Sequence, residues 1–426
     1  MSDDPTRQPL LSVYRAALAA VNGRRCCRRF LREHRPATPV ALVAIGKAAS
    51  GMAQGAADAL GERILRGLVI TKAGHGEPLT GAAAGFDCLF AGHPVPDARS
   101  LQAGAALLAF IDALPAGVPL LLLVSGGASA LVEVLPEGAG LAELQRLNDW
   151  LLGSGLDIGA MNAVRRSLSC IKGGRLARRL AGRHSLCLMI SDVPGDDPGV
   201  IGSGLLAPAA AMPAAIARQT PDWLRPLQGL APALPAAGDR CFATVESHVI
   251  ARLKDALAAA ADAGRGLGLA VFEHATPLSG DAASCGRRLA QRLRDGPAGL
   301  HVWGGETSVR LPARPGRGGR NQHLALAAAT VLAGDAHCTL LCAGTDGSDG
   351  PGEDAGAVVD GGTLRRGQGQ GLNAVEALRR ADSGRFLRAS GDLLRTGPTG
   401  TNVMDVVLGI KRRPGAFPRR LPVAEV

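Results

Sequence analysis

Short runs of glycine mixed with hydroxyl, acidic or basic residues hold the chemistry this chain of 426 residues can do. Val124-Ser125-Gly126-Gly127-Ala128-Ser129-Ala130 closes an apolar run. Its adjacent glycines let backbone N–H groups approach an anion, and Ser129 can cap a following helix whose dipole points at the ligand. In Asn162-Ala163-Val164-Arg165-Arg166-Ser167-Leu168-Ser169-Cys170-Ile171-Lys172-Gly173-Gly174, helical phase puts Asn162, Arg165, Ser169 and Lys172 on one face beside Val164, Leu168 and Ile171. Amide, hydroxyl and cation next to a core suit an anion pocket. Ser191-Asp192-Val193-Pro194-Gly195-Asp196-Asp197 offers carboxylates at the end of another apolar run, as Mg²⁺ requires, although such residues also cap helices and close turns.

The second half repeats the pattern. Gly304-Gly305-Glu306-Thr307, Gly316-Arg317-Gly318-Gly319-Arg320-Asn321-Gln322, Gly344-Thr345-Asp346-Gly347-Ser348-Asp349-Gly350 and Thr396-Gly397-Pro398-Thr399-Gly400-Thr401-Asn402 all border apolar or Ala/Leu-rich stretches. Small and polar residues so placed imply a site assembled from loops, with Glu306, Asn321 and Asp346 among its candidate ligand contacts. Gly344 to Gly350 lacks the downstream ligands of an EF-hand. Only Lys47, Lys72, Lys172, Lys254 and Lys411 remain as lysines among 47 basic residues, and the first three adjoin or lie close to glycines. Where arginine has replaced lysine so widely, a surviving lysine is a candidate for a place where a compact ammonium serves and a planar guanidinium does not, chance survival on a solvated surface being the equal alternative.

Positioning such loops takes strands and helices in alternation. Val40 to Ile45, Leu68 to Thr71, Leu120 to Val124, Leu186 to Ile190, Leu300 to Trp303, Thr339 to Cys342 and Val406 to Ile410 read as buried strands, most of them ending in or running within two residues into Gly, Ser, Asp or Thr. Most are separated by helix-compatible segments. The expected fold is α/β, in two domains that are each a mostly parallel sheet flanked by helices, with ligands at the strand carboxyl ends. A Pro/Ala-rich stretch from Leu205 to Ala237 breaks the pattern and places the boundary near 240, giving domains 1–240 and 241–426. The length fits two domains.

Composition removes other classes. A net charge of +10 suits an anionic partner, but the basic residues are dispersed and aromatics are 3%, which disfavours nucleic acid and favours a small acidic substrate. No apolar run approaches a membrane span, and the acidic start Met1-Ser2-Asp3-Asp4-Pro5 is unlike a secretory signal, so a cytoplasmic protein is expected. The nine cysteines form neither CxxC pairs nor a disulfide pattern, and His337, Cys338 and Cys342 fall short of a four-ligand zinc site. GxxxxGK[ST], GxGxxG and GxSxG are all absent, so phosphates must be held by other means than a P-loop or dinucleotide turn.

In order along the chain, Gly46-Lys47-Ala48-Ala49, Gly92-His93-Pro94-Val95-Pro96, Ser125 to Ser129, Asn162 to Arg165, Lys172-Gly173-Gly174 and Ser191 to Asp196 resemble the N-terminal domain of the glycerate 2-kinase family. Gly304 to Thr307, Gly318 to Gln322, Thr345-Asp346-Gly347 and Gly397 to Asn402 resemble its C-terminal MOFRL domain. The resemblance runs from about residue 10 to 412. It implies a Rossmann-like two-domain fold with an interdomain active site, ATP and Mg²⁺ as requirements, D-glycerate as acceptor and 2-phosphoglycerate as product. It further implies catalytic roles for Lys47 and Arg320. Ser203-Gly204-Leu205-Leu206 and His323 depart from the family's usual Ser-Gly-Pro-Thr and Glu.

The chemistry of phosphoryl transfer suits these residues, since it asks chiefly for positioned cations around the transferred group. On this reading Ser125, Gly126, Gly127 and Ser129 cradle phosphate, Arg165 suits the substrate carboxylate, and Asn162 and Lys172 are further candidate substrate or nucleotide contacts. Asp192 and Asp196 hold Mg²⁺, and Asp196 is also the candidate general base. An NAD(P)H-dependent hydroxypyruvate reductase is the alternative, opposed by the missing GxGxxG. The oligomeric state is not fixed by the sequence, and a homodimer is compatible with it.

Overall fold

The computed structural model describes residues 7–413 apart from 77, 157 and 181. Val40–Ile45 (β1), Ile64–Lys72 (β2), Asp87–Ala91 (β3), Leu120–Val124 (β4), Ser185–Ile190 (β5) and Val245–Ala251 (β6) form one sheet in the order β3-β2-β1-β4-β5-β6. Every neighbouring pair is parallel. Parallel neighbours need crossovers, supplied here by helices such as Ala49–Leu60 and Ala98–Asp112. The second begins at a signal present in the sequence: Asp97 accepts from the N–H groups of Arg99 and Ser100, while the Ser100 hydroxyl accepts from the Asp97 N–H. β1 and β4 are buried along their whole length, as central strands covered on both faces must be.

Winding runs from β1 to β2 and β3 on one side and from β4 to β5 and β6 on the other. The direction therefore reverses between β1 and β4, where sheets of this kind bind ligands outside the strand carboxyl ends. Ile45 lies opposite Val124, so the loops starting at Gly46 and Ser125 leave the sheet at one level.

Val271–Glu273 (β7), Gly299–Gly305 (β8), Cys338–Gly344 (β9), Gly356–Asp360 (β10), Leu393–Leu394 (β11) and Asp405–Lys411 (β12) form a second sheet, ordered β11-β10-β9-β12-β8-β7. Here the expectation of a mostly parallel sheet is corrected: only β7 and β8 are parallel, and the other neighbours run antiparallel. Residues 345–355 between β9 and β10 are too few for a helical crossover, and β12 enters between β8 and β9 from the opposite end. Buried apolar runs look alike in either direction.

The chain divides into two compact units. One contains Asn22–Arg252 and Gly400–Asn402; the other contains the chain up to Val21, Leu253–Thr399 and the chain from Val403. The expected boundary at 240 falls short of β6, which pairs with β5 and completes the first sheet. The helix Gln8–Ala20, assigned to the first domain by its place in the chain, belongs with the second sheet, where the buried Tyr14 hydroxyl donates to the Gly344 carbonyl at 2.6 Å. The Pro/Ala-rich stretch is packed into the first unit: Leu205 and Leu206 join its core, and Arg175 and Arg178 donate to the carbonyls of Pro232 and Ala233. Helices Leu141–Gly153 and Ile158–Ser167 share a separate small core of Leu147, Leu151, Val164, Leu168 and Leu224. Among the described residues, no helix is long and apolar enough to cross a membrane.

Candidate active site

At the reversal point of the first sheet the two strand-end loops are bonded to each other. The Lys47 N–H donates to the Gly126 carbonyl at 2.9 Å, and the Ala48 N–H donates to the Ser125 hydroxyl at 3.0 Å. Gly46 has φ of 132°, and a Cβ there would lie 2.2 Å from Ser125 Oγ, so only glycine permits this approach. Ser125 is fully buried, and its hydroxyl joins the loops together. Gly127 adjoins two motif side chains: a Cβ on it would meet His93 Cδ2 at 3.0 Å and Lys47 Cγ at 3.3 Å. The helix after this loop is a single turn, Ala128–Leu131, and Ser129 lies inside it rather than at its cap. Its hydroxyl is 2.6 Å from that of Ser203.

The expected stripe over 162–172 is interrupted, because the helix ends at Ser167. Ser169 and Lys172 instead turn to the buried Glu133: the Ser169 hydroxyl donates to Oε1 at 2.6 Å, and the Lys172 ammonium pairs with Oε2 and donates to the Ser129 carbonyl at 2.8 Å. Lys172 is 1% exposed. It ties this turn to the Ser125–Ser129 loop. Arg165 is different. Its Nη1 donates to Asn162 Oδ1 at 3.2 Å, and no carboxylate pairs with it among the described residues. Burial depresses its pKa, opposed by the charge of Glu133. The buried Arg166 beside it has an Nε without a hydrogen-bond partner among the described residues. Desolvated guanidiniums without carboxylates are costly unless an anion joins them.

After β5, Asp192 lies against the same glycine loop. Asn402 Nδ2 donates to Asp192 Oδ2 at 2.9 Å, and a Cβ on Gly126 would come within 2.0 Å of both atoms. Asp196, with φ of 55°, is 3.5 Å from Arg252 Nε. Among the described residues no three His, Cys, Asp or Glu cluster as metal ligands. Mg²⁺ held with a nucleotide asks for only one or two carboxylates, and Asp192 beside a glycine too confined for any side chain fits that demand.

In the other unit the helix Arg320–Leu332 starts at the predicted glycine run. Its first N–H groups are already taken: those of Asn321 and Gln322 donate to Asp349 at 3.0 and 2.8 Å, and the Asn321 side chain is buried. Burial pushes the Asp349 carboxyl up to about 6, opposed by these bonds. Arg320 is gripped on two sides. Nε and Nη2 donate to the buried Asp405 at 2.6 and 2.9 Å, and Nη1 is 2.8 Å from the exposed Glu306. Burial opposes its charge, yet Asp405, Glu306 and Asp349 outweigh it and raise its pKa. Among the described residues these pairs leave one N–H on each terminal nitrogen for a ligand. Asp346 is buried and accepts from the N–H and hydroxyl of Ser348. Its charge and that of Asp405 add to burial in raising the pKa of Tyr14.

Comparison with known proteins shows the family. Residues 9–223 match the family described as "Domain of unknown function (DUF4147)", and residues 299–405 match the MOFRL family. A D-glycerate 2-kinase of Thermotoga maritima is 37% identical over 381 residues, covering 87% of this chain and 90% of that one. The chain belongs to the glycerate 2-kinase family. A crystal structure of glycerate kinase from Thermotoga maritima has a TM-score of 0.79 at 34% identity, covering 95% of this chain and 99% of the other. A protein of Agrobacterium vitis, 36% identical over 95% of this chain and 94% of its own, is provisionally named a hydroxypyruvate reductase.

Within this glycerate 2-kinase family member, sequence reasoning passed over His93, Arg166, Asn402 and Asp405. His93 and Asn402 stand inside the quoted motifs but carried no assigned role. Asp405 opens an apolar strand, and an acid in that position signals a buried partner. Of the departures from the family pattern, Leu205 and Leu206 are core residues, and His323 is buried with Nδ1 3.0 Å from the Ser383 hydroxyl.

Proposed function

We propose that this chain is a D-glycerate 2-kinase, transferring the γ-phosphoryl group of ATP to the 2-hydroxyl of D-glycerate in the cytoplasm, with Mg²⁺. The observation that carries the reading is the convergence of Lys47, the Gly126-Gly127 turn and Asp192 at the reversal point of a parallel sheet that lacks both standard nucleotide fingerprints. The glycerate hydroxyl oxygen attacks the γ-phosphorus, the bond to the β-phosphate oxygen breaks, and ADP leaves; the hydroxyl proton passes to a base, for which Asp196 is the candidate. Lys47 supplies a compact positive charge for the transferring group. Asp192 would hold Mg²⁺, with Asp196 the second candidate, and the ion neutralises phosphate charge when bound.

Arg165 takes the substrate carboxylate, in keeping with a desolvated guanidinium whose hydrogen bond goes to the neutral Asn162 amide oxygen and which no carboxylate pairs directly among the described residues. Arg320 stabilises charge on the transferring group through the N–H groups left outside its carboxylate pairs, and the exposed Glu306 is the partner that yields when phosphate arrives. Lys172, by contrast, acts on the site through Ser129.

A panel of small hydroxy acids with Mg²⁺ and ATP, read as ADP release, checks the reading. D-Glycerate should give the strongest signal, and hydroxypyruvate should not oxidise NADH. NADH oxidation without ADP release would establish the reductase instead.

A further inference from the structure

Asn402 occupies an unusual place in the chain. Thr399 and Val403 belong to the unit of the second sheet, whereas Gly400, Thr401 and Asn402 between them belong to the unit of the first. The excursion is anchored by the Gly400 carbonyl, which accepts from the Gly23 N–H at 2.9 Å. It delivers one side chain to one carboxylate: Asn402, 7% exposed, donates from Nδ2 to Asp192 Oδ2 at 2.9 Å. Gly126 makes room for the pair, since a Cβ there would lie 2.0 Å from Asn402 Nδ2 and from Asp192 Oδ2.

We infer that Asn402 is a positioning residue for Asp192, fixing one carboxylate oxygen and with it the orientation of the carboxylate towards the divalent cation. The inference rests on the reading of Asp192 as the cation's ligand. An amide suits the task for a physical reason. It donates a neutral hydrogen bond, which orients the carboxylate without cancelling its charge, whereas an ammonium or guanidinium in the same place would compete with the cation. Partners of this kind set ligand orientation, and losing one typically weakens metal affinity about 10- to 100-fold.

The test is direct binding of Mn²⁺ to the full-length protein in the presence of ADP, followed by electron paramagnetic resonance of the free ion, for wild type, Asn402→Ala, Asn402→Ser and Asp192→Asn. Both Asn402 variants should bind Mn²⁺ about 10- to 100-fold more weakly while ADP affinity without metal is unchanged. Adding Asn402→Ala to Asp192→Asn should weaken binding no further. Unchanged Mn²⁺ affinity in both Asn402 variants, when Asp192→Asn has lost it, would overturn the positioning role alone. Unchanged affinity in Asp192→Asn would overturn the reading beneath it. Two variants are used so that a failure of either one to fold, seen by circular dichroism, leaves the other to decide.

Discussion

Lys47 and Arg320 are held in different ways, and their replacements should fail differently. Removing either cation from phosphoryl transfer should lower kcat on the order of 10² to 10³. If both serve one transition state, the double variant should lose far less than the product of the single losses. Thermal stability separates them. Lys47→Ala should melt close to wild type, but Arg320→Ala strips the partner from Asp405, whose side chain is 4% exposed. An uncompensated buried carboxylate costs several kcal/mol; with the Arg320 side chain 36% exposed, about 2 kcal/mol is the appropriate expectation. Arg320→Lys should not restore activity, because an ammonium cannot span Asp405 and Glu306 while still offering N–H groups to phosphate. Wild-type kcat in either alanine variant would remove that residue from the catalytic set.

Loops and helix ends show where local sequence was readable and where it was not. Glycines directly after or one residue beyond apolar runs disclosed the β1 and β4 loops, because no other residue allows such close backbone approach. They did not disclose the partners. Asp349 lies 28 residues beyond Asn321, and nothing local announces that it fills the N-terminus of the helix Arg320–Leu332. The strands β3, β6, β7, β10 and β11 were also missed: several are short or partly exposed, so their apolar pattern is diluted. Helical phase was carried too far across Ser169 and Lys172, since periodicity is blind to the pull of a distant buried Glu133.

Two predictions belong to these elements. Gly126→Ala should lower kcat on the order of 10², by forcing Asp192 and Asn402 apart, whereas Gly153→Ala, which meets nothing within 4 Å, should be silent in the same assay. Asp349 gives a pH signature. Its folded value of about 6 lies above the ordinary 3.8, so the protonated carboxyl favours the folded state; that contribution is complete below 3.8 and lost as pH rises past about 6. A shift of this size corresponds to about 3 kcal/mol, so melting measured from pH 4 to 7 should fall with pH in wild type through this group, and Asp349→Asn should flatten that component. An identical pH dependence in the variant would contradict the assignment.

At the scale of the whole molecule, the order of motifs along the chain was legible but the division of the chain was not. A linear boundary cannot represent a first helix that joins the second sheet, or three residues near the end that join the first unit. Such assignments depend on tertiary packing, which pattern and propensity do not encode. Strand direction in the second sheet was hidden for the same reason. What the whole molecule is proposed to achieve is nonetheless specific, since it requires transfer to one of two hydroxyls on a small acid. Incubation with D-glycerate, ATP and Mg²⁺, coupled to enolase with phosphoglycerate mutase left out, decides the matter. Phosphoenolpyruvate should form at once, because enolase accepts 2-phosphoglycerate directly. Phosphoenolpyruvate that forms only after mutase is added would show transfer to the 3-hydroxyl and contradict the proposed reaction.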